Sequence, residues 1–332
     1  MSRPAALAPR TRRWYHPVAF LAALAAMVAL PHTAEAQGVQ YTTRITTESG
    51  GPMAGMMGNA GGNEASESRT YILGPRMRTD HQNQSTLVDL ESGLLIMLDH
   101  DEGTVMRTTP EEMAEEMARL RSEMQEEMGS GNDVEMSFPA PEVHELDDTR
   151  TIQGHEARRV AVTSEATLGL GESMQGMPGG GSEMKMMTVH DMWMAPDIPG
   201  MEFSSDQARE WADRMAEAME GLPGAASGFT AMATDPDFAG IPLRSVTSMV
   251  MILGDGELEL DPILDGADEP LDSGGGMGAL ARAMMGGGGG AQMVFMRTVS
   301  EVTALEEGGV DPSVFEVPAD YRETTFAEMM GR

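Results

Sequence analysis

The amino-acid sequence predicts an α+β fold in which two helices pack on one face of an antiparallel β-sheet. Segments with alternating apolar and polar residues follow one another along the chain and are separated by turn residues, as in consecutive hairpins. Only two segments show the apolar spacing of an amphipathic helix. Because strands and helices do not alternate, a parallel sheet is disfavoured. We expect roughly eight or nine strands.

The first half of the chain has the clearest strand pattern. Val39–Ser49 (VQYTTRITTES) alternates and is rich in threonine, and the next segment, ESRTYILGPRMRTDHQ, predicts two strands that bend at Gly74-Pro75. The stretch STLVDLESGLLIMLDHDEGTVMRTT follows, with turns at Ser92-Gly93 and at Asp99–Gly103. It predicts further hairpins, and Asp99–Gly103 is interpreted as a solvated turn.

The first helix has the strongest local signals. Thr109, Pro110 and Glu112 combine a capping box with proline at the first helical position. Gly129 is expected to end the helix. One apolar face is predicted from the spacing of Met113, Met117, Leu120, Met124 and Met128.

The second half of the chain predicts more strands and one more helix. Two strands are expected to join near Gly154, and EMKMMTVHDMWMAPDI, IPLRSVTSMVMIL and AQMVFMRTVSEVTALEEG predict others. A second capping box at 204–207 begins the helix, and Pro223-Gly224 ends it. Its apolar face comprises Ala208, Trp211, Met215, Met219 and Leu222.

Residues 1–36 have the pattern of a secretory signal peptide. Three arginines (Arg10, Arg12 and Arg13) precede the apolar segment Val18–Leu30, and Ala34-Glu35-Ala36 forms a cleavage site before Gln37. The Arg12-Arg13 pair leaves both the general secretory and the twin-arginine routes open. Since the chain has no cysteine, neither an acyl anchor nor a disulfide is expected. We therefore expect a periplasmic or secreted protein with no stable membrane span after cleavage.

The remaining residues, 37–332, are expected to form a single domain interrupted by flexible segments. Glycine- and methionine-rich insertions are predicted near 50–66, 169–183 and 265–290, because such segments have little apolar surface to offset the entropy of ordering. The formal net charge of −31 disfavours nucleic acid as a partner and favours a basic protein partner. Adaptation to a salty habitat is an alternative reason for the same charge.

The order of the motifs resembles an uncharacterised bacterial family, domain of unknown function 4412. The resemblance depends on YTTRIT, RMRTD, the long hairpin segment, IQGHEARRVAV, HDMWMAPDIPG, GIPLRSV and VDPSVFEVPADY. It implies the fold of the periplasmic lipoprotein carriers and lipoprotein-localisation factors: a curved antiparallel sheet, or half-open barrel, closed by helices. In carriers of that shape, the gap between sheet and helices holds acyl chains. The family has no established catalytic residues, so none can be transferred.

These expectations lead to a hypothesis of a non-catalytic envelope protein that binds an apolar ligand or a lipidated segment between sheet and helices. The same residues could instead fill an ordinary core, in which case the protein is structural or binds a partner. The candidate lining residues are Leu95, Met97, Met192, Trp193, Trp211, Met215, Val250 and Phe295.

A second hypothesis is a site for monovalent copper or silver in the segment HDMWMAPDIPG. If this segment is a strand, alternation places His190, Met192 and Met194 on one face, about 7 Å apart for each two residues. Imidazole and thioether groups suit monovalent copper. Methionine is also a deformable core filler, so packing is the alternative reason for these residues.

The sequence matches no enzyme template, and no cofactor is expected. GMGALA at 276–281 fits a dinucleotide fingerprint by its letters but follows an acidic linker and not a strand. There is no Gly-x-Ser-x-Gly elbow and no His-Glu-x-x-His motif. The acidic segment Asp261–Asp272 imitates a calcium loop but has Ile263 at a ligand position and contains Pro270.

Overall fold

The structure is a computed structural model that describes residues 38–50, 65–128, 136–137, 139, 141–169, 183–199, 210–211, 213–215, 240–253, 257–271 and 291–330. Within these ranges thirteen strands form one sheet. They are β1 Val39–Ser49, β2 Ala65–Leu73, β3 Arg76–His81, β4 Gln84–Asp89, β5 Leu94–Asp99, β6 Thr104–Thr108, β7 Met136–Ser137, β8 Glu142–Ile152, β9 His155–Gly169, β10 Glu183–Ala195, β11 Ile241–Leu253, β12 Ala291–Glu307 and β13 Arg322–Glu323. The helices described in full are α1 Pro110–Met128, α2 Asp261–Asp265 and α3 Phe326–Met330, with 3₁₀ turns at Gly266–Asp268 and Pro312–Phe315.

The predicted sheet-dominated, mostly antiparallel fold is confirmed. The strand order is β13-β6-β5-β4-β3-β2-β1-β12-β11-β10-β9-β7, and β8 also pairs with β9. β1 lies in the middle of the sheet because it pairs with both β2 and β12, and it thereby joins two meanders. The described part of the chain contains more strands than the sequence predicted, partly because the two-residue strands β7 and β13 leave no periodic signal.

The predicted helix start at Thr109 is confirmed by its hydrogen bonds. The backbone N–H of Glu112 donates to Thr109 Oγ1 at 3.3 Å, and the backbone N–H of Thr109 donates to Glu112 Oε2 at 3.2 Å. This is the reciprocal arrangement of a capping box. The turn predicted near Gly154 is also present, with φ of 51° at Gln153 and 86° at Gly154.

Several predictions fall wholly or partly outside the described residues. The signal segment 1–36 and most of the predicted insertions lie there. Of the predicted second helix, only residues 210–211 and 213–215 are described, and they are helical. No helix in the described ranges is both long and apolar enough to cross a membrane.

The segment at 261–268 differs from the sequence prediction. Asp261–Asp265 forms a short helix and Gly266–Asp268 a 3₁₀ turn, so the predicted insertion at 265 begins too early. Ile263, Leu264 and Ala267 are buried, and the first two pack against β9, β10 and β11. No group of three His, Cys, Asp or Glu side chains in the described residues is placed to hold a metal ion, and Asp272, the last residue of the calcium-loop pattern, lies outside them.

Apolar residues cover both sides of the first meander. Val88 and Leu95 belong to a cluster that also includes Trp211 and Met215 of the second helical segment. Their neighbours Leu87 and Ile96 point to the opposite side, where Phe315 and other residues of the C-terminal tail pack against them. Val314 and Phe315 therefore attach the tail to the sheet.

Candidate functional site

The structure brings four of the eight predicted lining residues into one core cluster, here called the tryptophan cluster. Leu95, Trp193, Trp211 and Met215 are its predicted members, and each has at most 9% of its surface exposed. Its other buried members are Val39, Tyr41, Ile72, Met77, Val88, Leu90, Ala157, Ala195, Ile198, Ile241, Leu243 and Val302. Met113 of α1 also packs against it. The cluster thus joins both meanders to residues from the two helical segments.

The other four predicted lining residues lie elsewhere. Met192 packs with valines in a separate cluster, and Val250 lies in the cluster beside α2. Phe295 lies with a group of methionines on the other side of β11 and β12. Met97 is half-buried and pairs across the sheet with Thr86 and Met106. Met192 and Phe295 face the opposite side of the sheet from Trp193, because neighbouring strand positions alternate. Met97 shares a face with Leu95, and Val250 shares a face with Trp193, but both lie outside the tryptophan cluster. The structure therefore does not bring these four residues together with the other four.

Trp193 has the most distinctive surroundings in the tryptophan cluster. Its indole Nε1 is buried and has no hydrogen-bond acceptor in the described part of the chain. The guanidinium carbon of Arg159 lies 5.5 Å from the ring centroid and that of Arg150 lies 5.9 Å away. Arg150 is exposed. A buried donor without an acceptor is uncommon in native structures, so Trp193 marks a place where an acceptor atom would be stabilised.

Arg159 is held beside Trp193 by a buried ion pair. Its Nε and Nη2 atoms donate to the two carboxylate oxygens of Asp191, both at 2.8 Å, and Nη2 also donates to the carbonyl of Leu264 at 2.9 Å. The side chains of Arg159 and Asp191 are 14% and 3% exposed. Hydrogen bonds to Asp191 raise the pKa of Arg159 further above its ordinary value. This pair connects β9, β10 and α2.

The helical segment that carries Trp211 and Met215 is connected to α1 by a surface ion pair. Arg214 donates to both carboxylate oxygens of Glu111, at 2.6 and 2.9 Å. These hydrogen bonds lower the pKa of Glu111 to about 2. Because the two side chains are 36% and 58% exposed, solvent screens the pair and it contributes little to stability.

The predicted metal ligands occupy one strand but have different surroundings. Met192 and Met194 are 3% and 0% exposed and pack with Val160 and Val162. His190 Nδ1 lies 3.1 Å from Thr247 Oγ1 on β11. Desolvation lowers the pKa of His190 to about 4, so its imidazole is neutral at pH 7. The apolar contacts of Met192 and Met194 are those of core residues, and metal binding by the three residues stays a prediction.

A separate group of methionines spans three neighbouring strands, and we call it the methionine face. It comprises Met186 on β10, Met249 and Met251 on β11, and Met293, Phe295 and Met296 on β12. A β-bulge opposite Met249 and Val250 places Phe295 outside the regular pairing, beside Met296. The spacing of Met249 and Met251 was a sequence signal for one shared face. Their partners on other strands were not predictable from local pattern.

A polar network involving His100 connects the sheet to the C-terminal tail. Ser85 Oγ lies 2.6 Å from His100 Nε2, and His100 Nδ1 lies 2.6 Å from the hydroxyl of Tyr321. Ser85 donates its proton to Asp80 at 2.6 Å and accepts a hydrogen bond from Arg78 at 2.9 Å. His100 Nε2 is therefore the donor to Ser85 and does not act as its base.

This proton arrangement determines what the Ser85–His100 contact can do. Ser85 is 1% exposed, and its only proton is directed at Asp80. A serine nucleophile needs a neighbouring base that accepts its proton and a position that substrate can reach. Neither condition is met, so the network is a structural connection between the tail and β3, β4 and β5. The sequence interpretation of Asp99–Gly103 as a solvated turn missed this role of His100.

An open depression of about 280 Å³ lies over β1, β2 and β12. Its lining is mostly polar and includes Gln40, Arg69 and Glu306. Gln40 Nε2 donates to Glu306 Oε2 at 2.6 Å, so the two side chains are paired with each other. The depression contains none of the residues predicted from the sequence to bind a ligand.

Comparisons with known proteins give no family and no function. No protein-family profile and no curated protein matches the chain. Among solved structures, the chain matches that of PNGF-II at 8% identity with a TM-score of 0.31, over 89% of this chain and 32% of that one. The chain thus spans about a third of that protein, and a TM-score this low carries no argument about either fold or function.

Proposed function

We propose that this chain is a non-catalytic, exported binding protein that takes an acyl chain or a lipidated segment between its sheet and its helices. In this proposal the sheet is a half-open barrel similar to those of the lipoprotein carriers, the helices cover one face of it, and the chain is related to the family of unknown function named above. The acidic surface also suits a basic protein partner.

The observation that carries the proposal is the buried indole N–H of Trp193. It lies in an apolar cluster, has no acceptor among the described residues, and has exposed Arg150 near its ring. A fatty acid or a lipidated peptide has an apolar chain with a carboxylate, ester or amide oxygen at one end. That oxygen would accept from Trp193 and lie close to a cation, while the chain would contact Trp211 and Met215.

Ligand entry requires the helical residues that carry Trp211 and Met215 to move away from the sheet, because these two side chains are 1% and 2% exposed. The ion pair of Arg214 with Glu111 opposes this motion only weakly, since both side chains reach solvent. The apolar surface uncovered by the motion would be covered again by the acyl chain.

Intrinsic fluorescence tests the proposal directly. Of the three tryptophans, Trp14 lies in the predicted signal segment, and Trp193 and Trp211 both lie in the tryptophan cluster. We expect a dibrominated fatty acid to quench both, and native mass spectrometry of protein from its own envelope to show a bound lipid. Trp193→Phe should weaken binding about two- to tenfold, the range of one net hydrogen bond.

Phe295→Leu is the matched control, because it alters a predicted lining residue that lies in a different cluster. It should leave the affinity unchanged. Absence of both quenching and a bound mass would exclude the proposal and leave a structural or partner-binding protein. An equal loss of ligand affinity in Trp193→Phe and Phe295→Leu would mean that the ligand does not bind at the tryptophan cluster.

A further inference from the structure

The registers of β10, β11 and β12 bring the five methionines of the methionine face together. Met251 lies directly opposite both Met186 and Met293, and Met249 lies opposite Met296. Side chains of directly opposed residues share a face of the sheet, with their Cβ atoms about 4.5–5.5 Å apart. Methionine has three rotatable bonds, so sulfurs from neighbouring strands can reach a common point.

Packing alone does not account for this choice of residue. The other side of the same three strands has Val250, Ile252 and Val294 in its core cluster. β-Branched residues of that kind suit a half-buried strand better than methionine does. Among the described residues, the methionine face contains no Val, Ile or Leu, whereas each of the other core clusters contains at least one of them.

Burial of the methionine face is graded. Met251 and Met293 are 6% and 7% exposed, whereas Met186, Met249 and Met296 are half-buried. An ion can therefore reach sulfur atoms from solvent and complete its coordination among buried ones.

We propose that the methionine face binds one soft monovalent cation, Cu(I) or Ag(I), through three or four thioether sulfurs from Met186, Met251, Met293 and their neighbours. Thioether is a soft ligand that selects Cu(I) over hard cations. It is also neutral, so the ion keeps its positive charge at the site. The net charge of −31 on the chain favours a cation there. This site differs from the His190, Met192 and Met194 set predicted from the sequence.

Silver(I) is a suitable probe because it binds the same ligands and does not change oxidation state under assay conditions. The mature protein is titrated with silver nitrate in chloride-free, thiol-free buffer and analysed by native mass spectrometry. We expect one bound ion that is lost in Met251→Leu/Met293→Leu, with affinity lower by at least about tenfold. The control pair Met192→Leu/Met194→Leu should retain it. Both pairs exchange residues of similar volume, which protein cores tolerate well.

Nuclear magnetic resonance of ¹³C-methyl methionine in the wild-type protein provides a test that does not depend on the variants. One equivalent of silver should shift the methyl signals of Met251 and Met293 and leave those of Met192 and Met194 in place. Three results would overturn the proposal: no bound silver, binding that persists unchanged in Met251→Leu/Met293→Leu, or shifts confined to methionines outside the methionine face.

Discussion

The buried ion pair between Arg159 and Asp191 allows a quantitative prediction. Asp191→Asn keeps the size of the side chain but removes its charge and one of its two acceptor oxygens. Arg159 would then remain charged and 14% exposed, with an uncompensated donor. Removal of one partner from a buried ion pair destabilises proteins by about 3–5 kcal/mol. Because Asn retains one oxygen, and Leu264 and Asp148 still accept from Arg159, we expect the lower end, about 3 kcal/mol.

Urea unfolding measured by tryptophan fluorescence tests this prediction. With a denaturant slope of about 3 kcal/mol per molar, the midpoint should fall by about 1 M. The double variant Arg159→Met/Asp191→Leu should lie closer to the wild type than Asp191→Asn, since apolar replacement of both partners leaves no buried charge. A loss below about 1 kcal/mol in Asp191→Asn, or a double variant that is less stable still, would refute the reasoning.

Three further predictions concern the helix cap, a half-buried histidine and one glycine. Thr109→Ala should lower the free energy of unfolding by about 1 kcal/mol, since it removes the acceptor for the Glu112 N–H; calorimetry that detects no loss would mean that solvent replaces the cap. His190 has a pKa lowered to about 4, so below pH 6.5 the unfolded chain binds a proton that the folded chain does not, and stability should fall as the pH decreases from 6.5 to 4. The full pKa shift corresponds to at most about 3 kcal/mol of unfolding free energy, and to less here because the side chain is only half-buried. In His190→Gln, the free energy of unfolding measured with urea should depend less on pH between 6.5 and 4. The same pH dependence in the variant and the wild type would contradict the lowered pKa of His190. Gly240 has φ of +110°, and a Cβ there would lie 2.0 Å from the carbonyl oxygen of Ala195, so Gly240→Ala should destabilise by more than about 3 kcal/mol. Gly103→Ala, with φ of +58° and open space around it, is the control and should lose only about 1 kcal/mol in the same thermal assay.

Much of the fold could be predicted from local pattern. β1 was expected at Val39–Ser49 and forms there, and α1 begins at the capping box of Thr109. Both signals depend on residues close together in the chain. The C-terminal tail shows the limit: VDPSVFEVPADY was recognised as a motif, but the packing of its Phe315 with Leu87 and Leu98, more than two hundred residues earlier, was not predicted.

The candidate site was only partly predictable. Trp193, Trp211, Met215 and Leu95 were expected to meet and do so, because each had a large apolar side chain on a well-signalled element. Val250 and Phe295 were assigned to the same surface and lie in different clusters, Val250 on the same side of the sheet as Trp193 and Phe295 on the opposite side. Face assignment on a strand reverses with a shift of one residue, and the bulge at Phe295 adds such a shift.

The sequence by itself determined approximately where the longer strands and α1 begin and end, because alternation, capping boxes and turn residues act within a few positions. Only the tertiary structure decided that β1 lies beside β12, and that Met186, Met251 and Met293 share one row across three strands. The physical reason is that strand pairing joins residues far apart in the chain, and a local pattern is compatible with many partners. Register, and with it the composition of each face, follows from the pairing that buries the most apolar surface with its polar groups satisfied.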